Sequence, residues 1–349
     1  MSDLKINNIT DRTGDSGPVI AGVSTVSSTG AFTVPVGATE YRGGRGRSVR
    51  AGGRISPAQR REMDYVEIAT TGNATSFGEL SIQSGYNSGA SSATRGLVQL
   101  GGAPASNAYS AVLDYYTFSS KGGASDFGSL TTAWFNGIGF SSSTRGAFAG
   151  GRTSPGVNNN SIEYVTIATT GNASDFGDYT KARGGMASCA SLTRGVFGGG
   201  YTDPAYETQW TDIQYVTIAS KGDAKDFGEL FTGRYRFYGC SNTTRGLFMG
   251  GAYTSSAPNT ISSLNTIDYV TIATLGNATD FGDLTRLTAG NAASASATRG
   301  LCMGGYGPST VNTIDYVTIA STGNATDFGD MTQVIFDCCA SSDVHGGLG

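Results

Sequence analysis

One histidine, His345, serves a chain of 349 residues, and that scarcity excludes much chemistry. A copper-radical oxidase needs a pair of histidines, and a Ser-His-Asp hydrolase needs a placed imidazole base. Cysteine is almost as sparse. The five present (Cys189, Cys240, Cys302, Cys338, Cys339) are odd in number and show no metal-ligand spacing, so they are read as small buried residues. Neighbours Cys338 and Cys339 point to opposite faces of a strand, which argues against a mutual disulfide. No metal, cofactor or catalytic residue is therefore expected. Charged residues make up 14% of the chain and sum to −4, too little basic excess to suggest nucleic acid. Apolar runs of the roughly 18 residues that a membrane helix needs are missing. The opening MSDLKINNITDRTG is polar and lacks a signal peptide's apolar stretch, so synthesis in a reducing cytoplasm is expected.

What is abundant is glycine, 53 residues against 8 prolines, and it is periodic. No strict three-residue period exists, so collagen is excluded. Instead one phrase recurs six times, clearest as NTIDYVTIASTGNATDFGDM (312–331). Its tyrosine falls at Tyr65, Tyr115, Tyr164, Tyr215, Tyr269 and Tyr316, at spacings of 50, 49, 51, 54 and 47 residues. Periods of this length, built of strands and turns, signal repeated small sheets.

A single unit, 181–230, contains four strand signals. ARGGMASCA is a small-residue strand. SLTRG is a tight turn whose glycine suits a left-handed position, and VFGGG is an apolar strand stopped by glycines. A variable loop follows, then IQYVTIA, rich in residues that favour sheets, then the turn SKGDA and the strand KDFGELF. Neither alternating face of IQYVTIA is charged, so the sheet must be covered on both sides. Radial stacking of such sheets meets that need, with the small-residue strands nearest the axis. The first unit lacks its small-residue strand, and a spare one, VIFDCCASSD (334–343), follows the last DFG. The prediction is an all-β, six-bladed propeller of four-stranded antiparallel blades over residues 41–349, closed by the C-terminal strand. A seventh blade drawing on the N-terminal segment stays open. Residues 1–40 are Ser-, Thr- and Gly-rich and fall outside the repeat; they are expected to form a short β-arm for anchoring or assembly, including self-association.

The double glycines at 52–53, 101–102, 150–151, 199–200, 250–251 and 304–305, with the six tyrosines, resemble the kelch repeat. The late kelch tryptophan is replaced by Phe77, Phe127, Phe176, Phe227, Phe281 and Phe328. Near-identical phrases such as GNATDFGD and GNASDFGD, with the N-terminal lead, resemble structural proteins of marine tailed bacteriophages, cyanophages especially. That resemblance implies a virion protein, as tail fibre, appendage or capsid decoration. It would be held by other virion proteins through residues 1–40 and displayed for contact with host-surface glycan or protein. A soluble kelch-type lectin or interaction module is the alternative, and a polysaccharide-degrading enzyme a more distant one.

Each repeated element has a structural and a functional reading. Asp-Phe-Gly occurs five times at blade spacing, so it is not a kinase magnesium motif; its Asp and Gly are assigned to turns and its Phe to packing. Arg47, Arg95, Arg145, Arg194, Arg245 and Arg299 recur before the hairpin glycine, with His345 at the corresponding C-terminal position. They form either an anion-binding collar or pairs with the repeated aspartate or with carbonyls of a neighbouring blade. Being repeat-equivalent, they do not make the singular triad of a sialidase. The sequons at Asn73, Asn172, Asn277 and Asn324 read as turns. Seven arginines in 41–62 suggest either a rim for an acidic partner or plain solvation. Binding is expected instead in the variable loops (103–111, 152–160, 201–212, 252–265, 306–312), with Tyr201, Tyr206 and Trp210 as the leading contacts.

Overall fold

The phrase around each repeated tyrosine is a strand in every unit, because its β-branched and aromatic residues pack on both faces of a sheet. The computed structural model describes residues 46–348 apart from 104–107, 155–156, 203–207 and 256–259; the anticipated arm and Tyr206 lie outside the described residues. No helix occurs among them.

Six antiparallel sheets, each with four principal strands, form a ring: a six-bladed β-propeller. Blade 4 is typical, running outward as Ala187–Ala190, Arg194–Gly198, Asp212–Thr217 and Lys225–Glu229. Blades 2, 3, 5 and 6 begin with Ser88–Ser91, Ile138–Ser141, Tyr238–Ser241 and Ala292–Ala295. Blade 1 takes its innermost strand, Cys339–Ser342, from the far end of the repeats and pairs it with Arg47–Ile55. The C-terminal closure expected from the spare strand is therefore present. The six innermost strands neighbour one another around the axis. Serine hydroxyls bridge five of these junctions, Ser188 donating to Gly139 O at 2.8 Å among them. Ser141 donates to Ser91 O at 2.8 Å, Ser91 to Ser342 O at 2.8 Å, Ser342 to Ala295 O at 2.5 Å and Ser241 to Ala190 O at 2.7 Å. Small side chains are required here because the strands converge.

A second ring confirms the closure. In the link entering each blade one residue has positive φ: Tyr86, Asn136, Gly185, Arg236, Gly290 and Asp337. Each donates its N–H to the carbonyl of the preceding member, from Tyr86 to Asp337 O at 2.7 Å round to Asp337 to Gly290 O at 2.6 Å. The circle of six backbone hydrogen bonds is unbroken.

The core lies between blades. One cluster joins Ile162 and Phe176 of blade 3 to Phe197, Val216 and Ile218 of blade 4. Every DFG phenylalanine is buried and meets its repeat tyrosine edge-on, as Phe176 does Tyr164 at 5.9 Å. All five cysteines are free and buried, as expected, and burial pushes the thiols of Cys302 and Cys338 up to about 12.

Antiparallel order gives the ring two faces. The tight hairpins between first and second strands, with the turns between third and fourth, form the hairpin face. The variable loops and the links between blades form the loop face.

Candidate functional site

On the hairpin face the repeated residues are consumed in holding blades together. Arg194 lies over the Tyr215 ring, 4.6 Å from its centroid, and donates to Ile272 O and Ala273 O of blade 5 at 3.0 and 2.9 Å. Arg95, Arg145, Arg245 and Arg299 repeat that geometry on the next blade round. Arg47 donates to Phe118 O at 2.6 Å and also pairs with Glu67 at 2.9 Å. Of the two readings, these contacts match the bonding to neighbouring carbonyls. His345 is no member of this ring: it lies on the axis, against Ser91 and Ser141.

Two turn assignments need correction. The hairpin glycine Gly195 sits within a strand without positive φ; a Cβ there would overlap the Phe140 ring, so it is small for packing between blades. The hairpin is instead held by Ser191, whose Oγ accepts the N–H of Thr193 and Arg194 at 3.4 and 3.2 Å. Likewise the DFG glycine is a bulge in the outermost strand, not a turn. Gly177 has φ +146 where the register slips between Ile162 and Glu163, and a Cβ would lie 2.6 Å from Gly222 O of blade 4. The sequon asparagines stand in the turns between third and fourth strands and cap the seam: Asn172 Oδ1 accepts Ser129 N–H of blade 2 at 3.0 Å.

The arginine-rich start of the repeats is also dispersed. Arg50 is buried against Asp64 at 2.5 Å, and Arg61 meets Glu79 at 2.9 Å. Arg54 flanks Asp337, which accepts from Arg236 at 2.6 Å, so the axial opening on the loop face is crossed by an ion pair between Tyr86 and Phe336.

The loop face also carries seams, made by the residue preceding each repeat tyrosine. Ser81 donates to Asp114 at 2.9 Å, Thr131 to Glu163 at 2.5 Å, Thr285 to Asp315 at 2.7 Å and Thr332 to Asp64 at 2.7 Å; Thr180 bonds Gln214. The sixth seam departs. Phe231 replaces the hydroxyl and is 83% exposed, while Asp268 turns inward to an ion pair with Arg234 at 3.0 Å. Burial raises the Asp268 carboxyl and lowers the Arg234 guanidinium from their ordinary values, so desolvation outweighs the attraction in both.

Around Phe231 the loop face carries further apolar and aromatic groups. Leu230 N–H donates to Thr211 O at 2.7 Å, which joins the chain just before Phe231 to the chain just after Trp210. Trp210 is half-buried, its Nε1 lacks a hydrogen-bond partner among the described residues, and Lys181 Nζ stands 3.7 Å from its ring centroid. Gln209 reaches Thr254 O at 3.0 Å on the blade 5 loop, which exposes Tyr253 and Ile261. Of the anticipated contacts, Trp210 stands on the same loop face, its ring against Lys181 of blade 3. Tyr201 is not presented there: it is 1% exposed, packed edge-on to Tyr235 and bonded by Asn136 at 3.3 Å, because its backbone pairs with Gly184 and turns the ring inward. Phe231 went unnoticed in the sequence, although its place in the repeat, where five other units carry Ser or Thr, was the signal.

No family model matches the chain, and no curated protein matches it in sequence. The class defined by the fold is the six-bladed β-propeller; the kelch and phage resemblances rest on the residues quoted for them.

Proposed function

We propose that this is a non-catalytic recognition protein whose propeller presents its loop face to a saccharide-bearing surface, with Phe231 and Trp210 as the principal contacts. One observation carries the reading. Of the ten large hydrophobic side chains exposed among the described residues, eight lie on the loop face, Phe231 most of all; only Leu192 and Leu275 lie on the hairpin face. Exposed aromatic rings beside hydroxyl and amide groups suit the C–H face and hydroxyls of a pyranose. The phage resemblance supports a virion setting, as tail appendage or capsid decoration, in which this face meets the host. Binding of immobilised protein to host-cell envelopes and to a panel of neutral and acidic oligosaccharides tests the contact. Phe231→Ala is expected to weaken binding at least tenfold; unaltered binding by that variant would refute the site. Immunogold labelling of purified particles tests the setting, and absence of label removes it in favour of a soluble lectin.

A further inference from the structure

Residues 343–348 leave the closing strand of blade 1 and cross the axis on the hairpin face. Asp343 Oδ1 accepts Arg47 N–H at 2.8 Å in blade 1. His345 Nε2 lies 3.1 Å from Ser91 O in blade 2 and 3.3 Å from Ser141 Oγ in blade 3. Gly346 N–H donates to Ser241 O in blade 5 at 2.8 Å, and a Cβ on Gly346 would approach Ala190 O of blade 4 to 2.7 Å. Five blades are thus touched by six residues. Behind them lies an axial cavity of about 70 Å³, lined by the serines and small residues of the innermost strands and by His345.

The imidazole is fully used in one form alone. Ser91 O is an acceptor, so Nε2 must carry the proton. Gly347 N–H points at Nδ1 at 3.0 Å, so Nδ1 must keep its lone pair. A second proton would set two donors against each other in a partly buried place with no opposite charge against the ring. The groups facing the ring from the blades are Ser91, Ser141 and the backbone; the thiols of Cys189 and Cys240 in the same cavity lining are pushed up by burial and stay neutral. Asp343, with Arg47 and Glu67 beside it, is the charged group on the stretch itself.

We propose that residues 343–348 are an acid-released clasp that closes the hairpin-face end of the axis while His345 is neutral and opens it when the imidazole is protonated. Burial lowers His345 from 6.5 to about 4. The sign follows: a folded value below the unfolded one means the clasp is fully held above about 6.5 and weakens as pH falls towards 4. Asp343, raised to about 6 mainly by burial, works the other way, favouring the folded state as it gains its proton. Because the chain has one histidine, its imidazole carbon resonance titrates as a single signal. An apparent value well below 6 is expected; a value near 6.5 overturns the proposal. Hydrogen exchange, corrected for intrinsic rates, should show opening at the amides of 346–348 in the parent protein, relative to His345→Gln, rising on the order of a hundredfold from pH 7 to pH 4, because the opposing contribution of Asp343 is common to both. His345→Gln, which retains a donor for Ser91 O but does not titrate, keeps only the opposing dependence of Asp343, so its opening falls with acid while the blade amides keep their protection in both proteins. The same pH dependence of opening in His345→Gln as in the parent protein would overturn it.

Discussion

Five blade seams on the loop face are latched by a hydroxyl or amide partner, and the seam between blades 4 and 5 is not. The five repeat a short polar contact from an exposed Ser or Thr to a buried carboxylate or amide. The sixth holds Arg234 and Asp268, each at most 1% exposed, and releases an aromatic ring to the surface. A buried ion pair is weak evidence for stability, because desolvation of both charges opposes their attraction. A seam that abandons the common latch and exposes Phe231 is better explained by what the ring contacts than by what the pair stabilises.

The largest test of that contrast is removal of one charge. Asp268→Ala leaves Arg234 buried without its partner and is expected to destabilise the propeller by about 3–5 kcal/mol. The double variant Arg234→Met, Asp268→Leu should recover most of the loss, measured by denaturant unfolding. If the single variant costs no more than Asp114→Ala at an ordinary latch, the sixth seam is not special. Next comes the shared bulge. Gly177→Ala forces a side chain against the backbone at Gly222 and is expected to cost about 1–3 kcal/mol. The same change at Gly72, where a Cβ meets nothing within 4 Å, lacks the clash and leaves only the strain of its positive φ. Equal losses at the two sites would show that close approach between blades is not the cause.

Arg194→Ala is smaller again. It removes two bonds to carbonyls and the contact with Tyr215, a loss of about 1–2 kcal/mol. Saccharide binding should not change. Weaker binding at unchanged stability would reinstate the arginine ring as an anion collar.

Blade number, strand order and ring closure were legible because a β-propeller repeats its construction in the sequence: the tyrosine spacing set the blades, and the spare VIFDCCASSD strand had a vacancy to fill. The glycines were harder. Gly177 and Gly195 are small because another blade comes within van der Waals reach, and a contact some 45–55 residues away leaves no local mark. Tyr201 misled for a similar reason. Its place after a double glycine put it in a loop by pattern, but its pairing with Gly184 aims the ring at the core. Phe231 was visible all along as a departure from Ser or Thr, yet a departure gains meaning only once the hydroxyl's partner is known. Asp114 and its equivalents supply that partner in the fold.

Phe231→Thr therefore separates stability from recognition with the least disturbance. The ring is 83% exposed and buries little, so its loss forfeits almost no apolar contact. A threonine restores the side chain found at most other seams, but Asp268 already faces Arg234, and a rim hydroxyl gains little in water. The expected change in unfolding free energy is within about 0.5 kcal/mol. Oligosaccharide binding should fall at least tenfold, as for alanine, because a small hydroxyl offers no platform for a sugar ring. A marked gain in stability would mean that Asp268 rotates outward to take the latch, making the parent seam a compromise made for the exposed ring. Retained binding would show that Trp210 alone suffices and that the departure at Phe231 serves something else.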